Sequence, residues 1–247
     1  MASKFTGFSP KVLRFFGDLE KNNQRDWFNA RKEFFESEVR GPMLELVRLM
    51  SVEFARMAVD YVPQKPESIV YRIYRDTRFA RDKTPYKTHI GAYFQHHRVA
   101  KNRGAGFYFE VSHEGLAIGG GMYMPGPDEL LAVRRTLAAK SEQFSTLCAD
   151  RALVKALGQM EGERLARVPK GFDVQSPAAD LLRHKQFYYW KVLDAKVACT
   201  PRIQAEVMNR FKPLLPVVAF LNDAVIRALE DQRDPHEQRP VRPEPMF

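Results

Sequence analysis

The sequence is poor in cysteine, in long apolar runs and, over most of its length, in net charge. Its two cysteines, Cys148 and Cys199, are too few and too far apart for a disulfide framework. Neither belongs to a paired metal-ligand motif, so both read as reduced, buried hydrophobes. No window reaches the ~18 consecutive apolar residues of a spanning helix, and the N-terminal residues lack the basic, apolar and small-residue regions of a signal peptide. The expectation is a cytoplasmic protein with no membrane partner. There is no Gly-x-Ser-x-Gly elbow, no phosphate loop ending in Gly-Lys-Ser/Thr and no dinucleotide fingerprint. Nucleophilic catalysis and cofactor binding therefore have no motif behind them, and the identity of any cofactor is left open.

What is present is an ordinary globular composition, 45% hydrophobic and 28% charged over 247 residues. Residues 1–232 read as a single domain. Residues 233–247, with four prolines and little apolar pattern, read as a disordered tail. The formal charge is +9, and it is concentrated: between Arg72 and Arg103 nine Lys or Arg stand against two Asp, a surplus of seven. A local excess of this kind suggests an acidic partner.

The pattern of apolar residues predicts an α+β fold with an antiparallel sheet of about four to six strands in mid-chain, flanked by N-terminal and C-terminal helices. Ser9-Pro10 starts a helix bearing Val12, Phe15, Phe16 and Leu19 at helical spacing. A second helix carries Trp27, Phe28, Phe34, Phe35 and Val39 and stops at Gly41-Pro42, where a third begins. From Ser68 the period becomes alternating, with strands expected at 68–75, 88–95, 106–112 and 115–123 and a further one at 186–193. Pro125-Gly126-Pro127 opens helical stretches that reach Gly158, and Ser176-Pro177 starts a short helix. Thr200-Pro201 caps a helix that Pro213 and Pro216 are expected to interrupt.

The chemically distinctive segment is Arg72 to Tyr93. Arginine presents a planar fork that makes two charge-assisted hydrogen bonds to a phosphate or carboxylate. Arg72, Arg75, Arg78, Lys83 and Lys87 are the expected anion contacts, and Tyr74, Phe79 and Tyr86 are interleaved with them as in sites that stack and neutralise a ligand at once. If 88–95 is a strand, Ile90, Ala92 and Phe94 face the core while His89, Gly91 and Tyr93 share the other face with Lys87. Asp76, Asp82 and His89 are the candidate acid–base groups; the aspartates serve equally well to hold neighbouring arginines in place. The competing view makes these charges a solvated rim around a half-buried sheet. His96 and His97 are expected at a solvent-facing strand end, and the spacing of His89, His96, His97, Asp76 and Asp82 matches no metal site. Gly119-Gly120-Gly121 reads as a bulge or a close backbone contact.

The run Arg72-Ile73-Tyr74-Arg75-Asp76-Thr77-Arg78-Phe79, leading into Asp82-Lys83-Thr84-Pro85-Tyr86-Lys87, resembles the bacterial and fungal family called domain of unknown function 2461. So do Phe5-Thr6-Gly7-Phe8, Asn22-Asn23 with Trp27-Phe28, Gly119-Gly120-Gly121-Met122-Tyr123, Pro169-Lys170-Gly171-Phe172, Pro177 and Leu182. The resemblance spans about residues 5 to 230. It implies that Arg72, Arg75, Asp76, Arg78, Asp82, Lys83, Tyr86 and Lys87 form a motif typical of the group. It also implies His where this chain has Ser176, which removes a proton-transfer role there and leaves a helix cap.

Four functions fit these observations. They are binding of a phosphate-bearing small molecule or nucleotide at residues 72–93, phosphoester chemistry at the same site, nucleic-acid binding, and a non-catalytic interaction module. The first is the leading expectation.

Overall fold

In the computed structural model, which describes residues 5–63, 65–100 and 103–233, the chain opens with helix α1 (Pro10–Lys21). Ser9 caps it by accepting from the Lys11 N–H, and Val12, Phe15, Phe16 and Leu19 are its buried stripe. Two short helices, α2 (Arg25–Asn29) and α3 (Lys32–Phe34), lead into α4 (Gly41–Met57). The expected stop at Gly41-Pro42 does not occur. Residues Phe35–Arg40 wind as a π-helix, with the Gly41 N–H donating to the Glu36 carbonyl, and α4 continues from them. The wider turn places the proline's missing donor in a bulge instead of breaking the helix.

The sheet has four antiparallel strands in sequence order: β1 (His89–Gln95), β2 (Gly106–Ser112), β3 (Leu116–Met122) and β4 (Phe187–Leu193). The strand expected at 68–75 is not regular. It makes isolated bridges, Val70 to Ala92 on the outer edge of β1 and Tyr74 to Tyr86 within the motif, because the chain bends away between them. On the far side, Glu161 bridges to Tyr188 on the edge of β4, and Arg164 to His184 just before that strand.

After β3, α5 (Pro127–Cys148) runs with a break at Lys140, followed by α6 (Arg151–Leu157) and α7 (Ala179–Leu182). Arg134 ties α5 to the chain after α7 by donating to the carbonyls of Leu182 and His184. The last helix, α8 (Ile203–Arg233), runs through Pro213 and Pro216 without the expected interruption. The prolines deprive the Asn209 and Lys212 carbonyls of donors, but both residues are exposed and water can serve them. The fully buried Phe211, Leu214, Val217, Val218 and Leu221 hold the helix on either side.

One face of the sheet carries the core. Phe94 stacks on Phe54 of α4 at 4.5 Å, Phe107 meets Phe211 of α8 at 5.1 Å, and Phe187 meets Phe144 of α5 at 6.2 Å. Three helices are thus committed to the same side. Among the described residues no helix is long and apolar enough to cross a membrane. The segment read as a tail lies, apart from Arg233, outside the described residues.

Candidate functional site

Residues 73–75 and 85–87 form the neck of a loop. The Arg75 N–H donates to the Pro85 carbonyl and the Lys87 N–H to the Ile73 carbonyl. The neck is clamped from α1's end: Asn23 donates to the Tyr86 carbonyl (2.9 Å) and accepts from its N–H (3.0 Å). Tyr86 itself is buried and stacks on Phe28 at 4.2 Å. Tyr74 lies beside it, half exposed, at 5.4 Å.

The loop's charged side chains bind one another. The Arg75 guanidinium donates to Asp82 and Thr84. Asp76 accepts from the Arg78 backbone N–H (3.2 Å) and guanidinium (2.8 and 3.0 Å). Lys83 donates to the Thr77 carbonyl at 2.9 Å. The hydrogen bond from Arg78 pulls the Asp76 carboxyl down to about 2, and the one from Arg75 does the same to Asp82. Both aspartates are therefore ionised and occupied, which is the arrangement of a structural brace.

A different grouping forms on the sheet face turned away from the helices. Strand alternation and register place Tyr93, Tyr108, Gly119 and Trp190 in one row across β1 to β4, with Gly91 and Glu110 in the next row and His89 beyond. His89, Tyr93, Tyr108, Glu110, Tyr188 and Trp190 are all partly exposed there. The division of β1 into Ile90, Ala92 and Phe94 against His89, Gly91 and Tyr93 is the one its alternation predicts. The space that Gly91 leaves is taken by Tyr108: a Cβ there would stand 2.4 Å from its hydroxyl oxygen. Gly119 likewise admits Trp190 and the Tyr189 carbonyl. The aromatic rings consequently lie across the sheet, with Tyr108 and Trp190 nearly parallel (18°) at 5.9 Å.

Polar groups accompany the rings. The Tyr108 hydroxyl donates to Glu110 at 2.5 Å, and His89 Nε2 lies 3.3 Å from the same carboxylate oxygen. Burial, and then Lys87, lower the His89 pKa against the opposing pull of Glu110. Burial, with help from Glu110, raises that of Tyr108. Lys87 sits 4.7 Å over the Tyr71 ring, which in turn is 6.0 Å from Tyr108. Its pKa is lowered by burial and then by the charge of Arg72.

Of the residues expected from sequence, Lys87, His89 and Tyr93 gather on or beside this face, and Arg72 is exposed next to Tyr71 in the chain. Tyr93 uses its hydroxyl on the Gly104 carbonyl. Arg75, Asp76, Arg78, Asp82 and Lys83 are held in the loop brace, with Tyr74 and Tyr86 at its neck. Tyr71, Tyr108, Glu110 and Trp190 lie outside the residues that charge and composition single out, although alternation in 106–112 puts Tyr108 and Glu110 on one face. Trp190 needs the pairing of β4 with β3, which no local pattern reveals.

His96 is buried, not solvent-facing, and its ring stacks on that of His97 at 5.2 Å beside Asp60. The chain leaves β1 at Gln95 and turns inward against Tyr61. Among the described residues, Glu20, His113 and Glu114 have donor atoms within 4.8 Å of one another, and His113 Nε2 lies 3.3 Å from the Glu20 carboxylate. Two surface hollows, of about 460 and 300 Å³, include no residue of 72–93.

No curated protein and no solved structure matches this chain. A family model described as conserved hypothetical protein (DUF2461) matches residues 11–220, most of the described fold including both the braced loop and the open sheet face, and the chain belongs to that family.

Proposed function

We propose that the sheet face opposite α4, α5 and α8 binds a nucleotide, a ligand that joins a flat ring to phosphate. The observation that carries this is the line of contacts running from the Lys87 ammonium over Tyr71 to Tyr108 and on to Trp190. One end offers charge and the other a stacking surface, and base–aromatic stacking is tolerant of which base is bound. Burial, and after it the like charge of Arg72, depress the Lys87 pKa, and a bound anion offsets both by favouring the charged ammonium. Glu110, already accepting from Tyr108, disfavours phosphate at the centre of the sheet and suits the hydroxyl or amino groups of a nucleoside.

The cations assigned to this function differ from those with the greatest sequence density. Arg75, Arg78 and Lys83 are engaged within the loop, so Arg72 and Lys87 take the phosphate role. Phosphoester cleavage using Asp76 or Asp82 as base has less support, because each carboxylate is tied to an arginine.

The chain has two tryptophans, so Trp27→Phe leaves Trp190 as the reporter. Titrating that variant with ADP is expected to quench Trp190 fluorescence saturably, and adding Lys87→Ala to weaken the apparent affinity about tenfold, near 1.4 kcal/mol. Adenosine and inorganic phosphate, tested separately, are expected to bind more weakly. An unchanged spectrum at millimolar ADP counts decisively against the reading.

A further inference from the structure

We infer that the nucleotide held on the sheet face belongs to a single strand of nucleic acid, and that Phe79 at the tip of the braced loop is a second stacking point for it. The inference rests on the reading of the sheet face given above and extends it to a polymer.

Phe79 is 95% exposed. Its exposure does not come from a formless loop. Arg75 grips Asp82 and Thr84, Asp76 grips Arg78, Lys83 spans to the Thr77 carbonyl, and Asn23 clamps the neck through Tyr86. A frame with this many internal bonds, presenting one aromatic ring to solvent, has the form of a binding anchor, since an exposed ring is more usefully placed where a partner covers it. The charge around it says what kind of partner. The Arg78 guanidinium, held by Asp76, is 5.8 Å from the Phe79 ring, and Arg81, two residues after Phe79, is exposed.

The loop's neck also leads directly onto the sheet: the Lys87 N–H donates to the Ile73 carbonyl, and the Tyr71 N–H, two residues before Ile73, donates to the Gly91 carbonyl of β1. Along this path a ring with an exposed cation at the loop tip (Phe79, Arg81) comes first, then Lys87 at the loop's neck, then the rings of Tyr71, Tyr108 and Trp190. Aromatic rings separated by cations match the alternation of bases and phosphates along a single strand. A mononucleotide engages one end of this series and leaves Phe79 and Arg81 without a role.

The test compares a fluorescently labelled oligothymidylate, about a dozen nucleotides long, with ADP on the full chain. The oligomer is expected to bind at least tenfold more tightly than ADP, with log affinity falling against log salt by about 0.7 for each phosphate neutralised. Phe79→Ala and Arg81→Ala are each expected to weaken the oligomer several-fold while leaving the ADP titration of Trp190 unchanged. Both residues are exposed, so these variants fold. If ADP binds but the oligomer is no tighter, or Phe79→Ala leaves the oligomer unaffected, the polymer inference is overturned and the nucleotide reading stands. If neither ligand binds, both fall. Loss of binding to phosphatidylserine vesicles in Phe79→Ala, with oligomer binding intact, would instead assign the loop to a membrane surface and overturn the inference.

Discussion

Asn222 shows what single residues contribute. It is buried on α8, donates to the Tyr61 hydroxyl (2.8 Å) and the Ala105 carbonyl (2.9 Å), and accepts from the Ala105 N–H (2.8 Å). One amide thus pins the start of β2 and the end of the α4 region to the last helix. Asn222→Ala leaves both Ala105 backbone groups without a partner, and we expect a loss of about 2–3 kcal/mol, read from urea unfolding. A change below about 0.5 kcal/mol would mean that water replaces the amide. Nothing local marks this residue, because an asparagine in a helix is usually a surface residue. Legibility at the candidate site divides similarly. Lys87, His89 and Tyr93 follow from alternation along β1, a property of neighbours in sequence. Glu110 becomes the partner of His89 only through the pairing of β1 with β2.

Among the elements, the braced loop has the arrangement in which aspartates hold neighbouring arginines, one of the two that its sequence allows. The density of arginine between 72 and 87 reads as a ligand site, yet much of it closes a loop whose ends are 73–75 and 85–87. Charge type is visible in sequence, but the partner of each charge is not. Asp82→Asn weakens the contact with Arg75, and we expect trypsin to cut after Arg78 or Arg81 faster in this variant while the far-UV circular dichroism stays unchanged. Equal cutting rates would show that Thr84 and the Asn23 clamp suffice to hold the loop. The helices teach the same point from the other side. Pro42, Pro213 and Pro216 each read as breaks, and in each case the chain continues because a π turn or a buried apolar stripe outweighs one missing hydrogen bond.

For the whole molecule, the titrating groups give stability a direction with pH. His89, His96 and His184 all have pKa values lowered from the ordinary 6.5, burial being the largest cause in each. Asp60 opposes the shift at His96, and Arg164 adds to burial at His184. The unfolded chain binds protons at these histidines more readily than the folded one, so stability falls as pH drops below about 6.5. Asp76 and Asp82, lowered to about 2, contribute above their ordinary 3.8 and lose that contribution as pH falls toward 2. Being exposed, they contribute the smaller, salt-sensitive part. Thermal melts are expected to show the highest Tm between neutral pH and about pH 9, a first decline from about pH 6.5 downward and a second below about pH 4, because above that range Cys148, Tyr108 and Tyr189, whose pKa values burial raises, begin to oppose folding. A Tm that rises between pH 7 and 5.5 would contradict this sign. The sequence by itself determined the α+β class, the positions of most helices, the strands β1 to β4, the core face of β1 and the family, because these depend on periodicity and on contiguous motifs. Only the tertiary structure decided that the helices cover one face of the sheet, that the arginine-rich segment is largely a self-paired loop, and that Lys87, Tyr71, Tyr108, Glu110 and Trp190 meet on the other face. The facts about the sheet depend on which strands pair, and for β4 that is set by residues tens of positions apart. The loop's pairs are only two to nine positions apart, and they depend on a folded side-chain geometry that charge pattern alone does not specify.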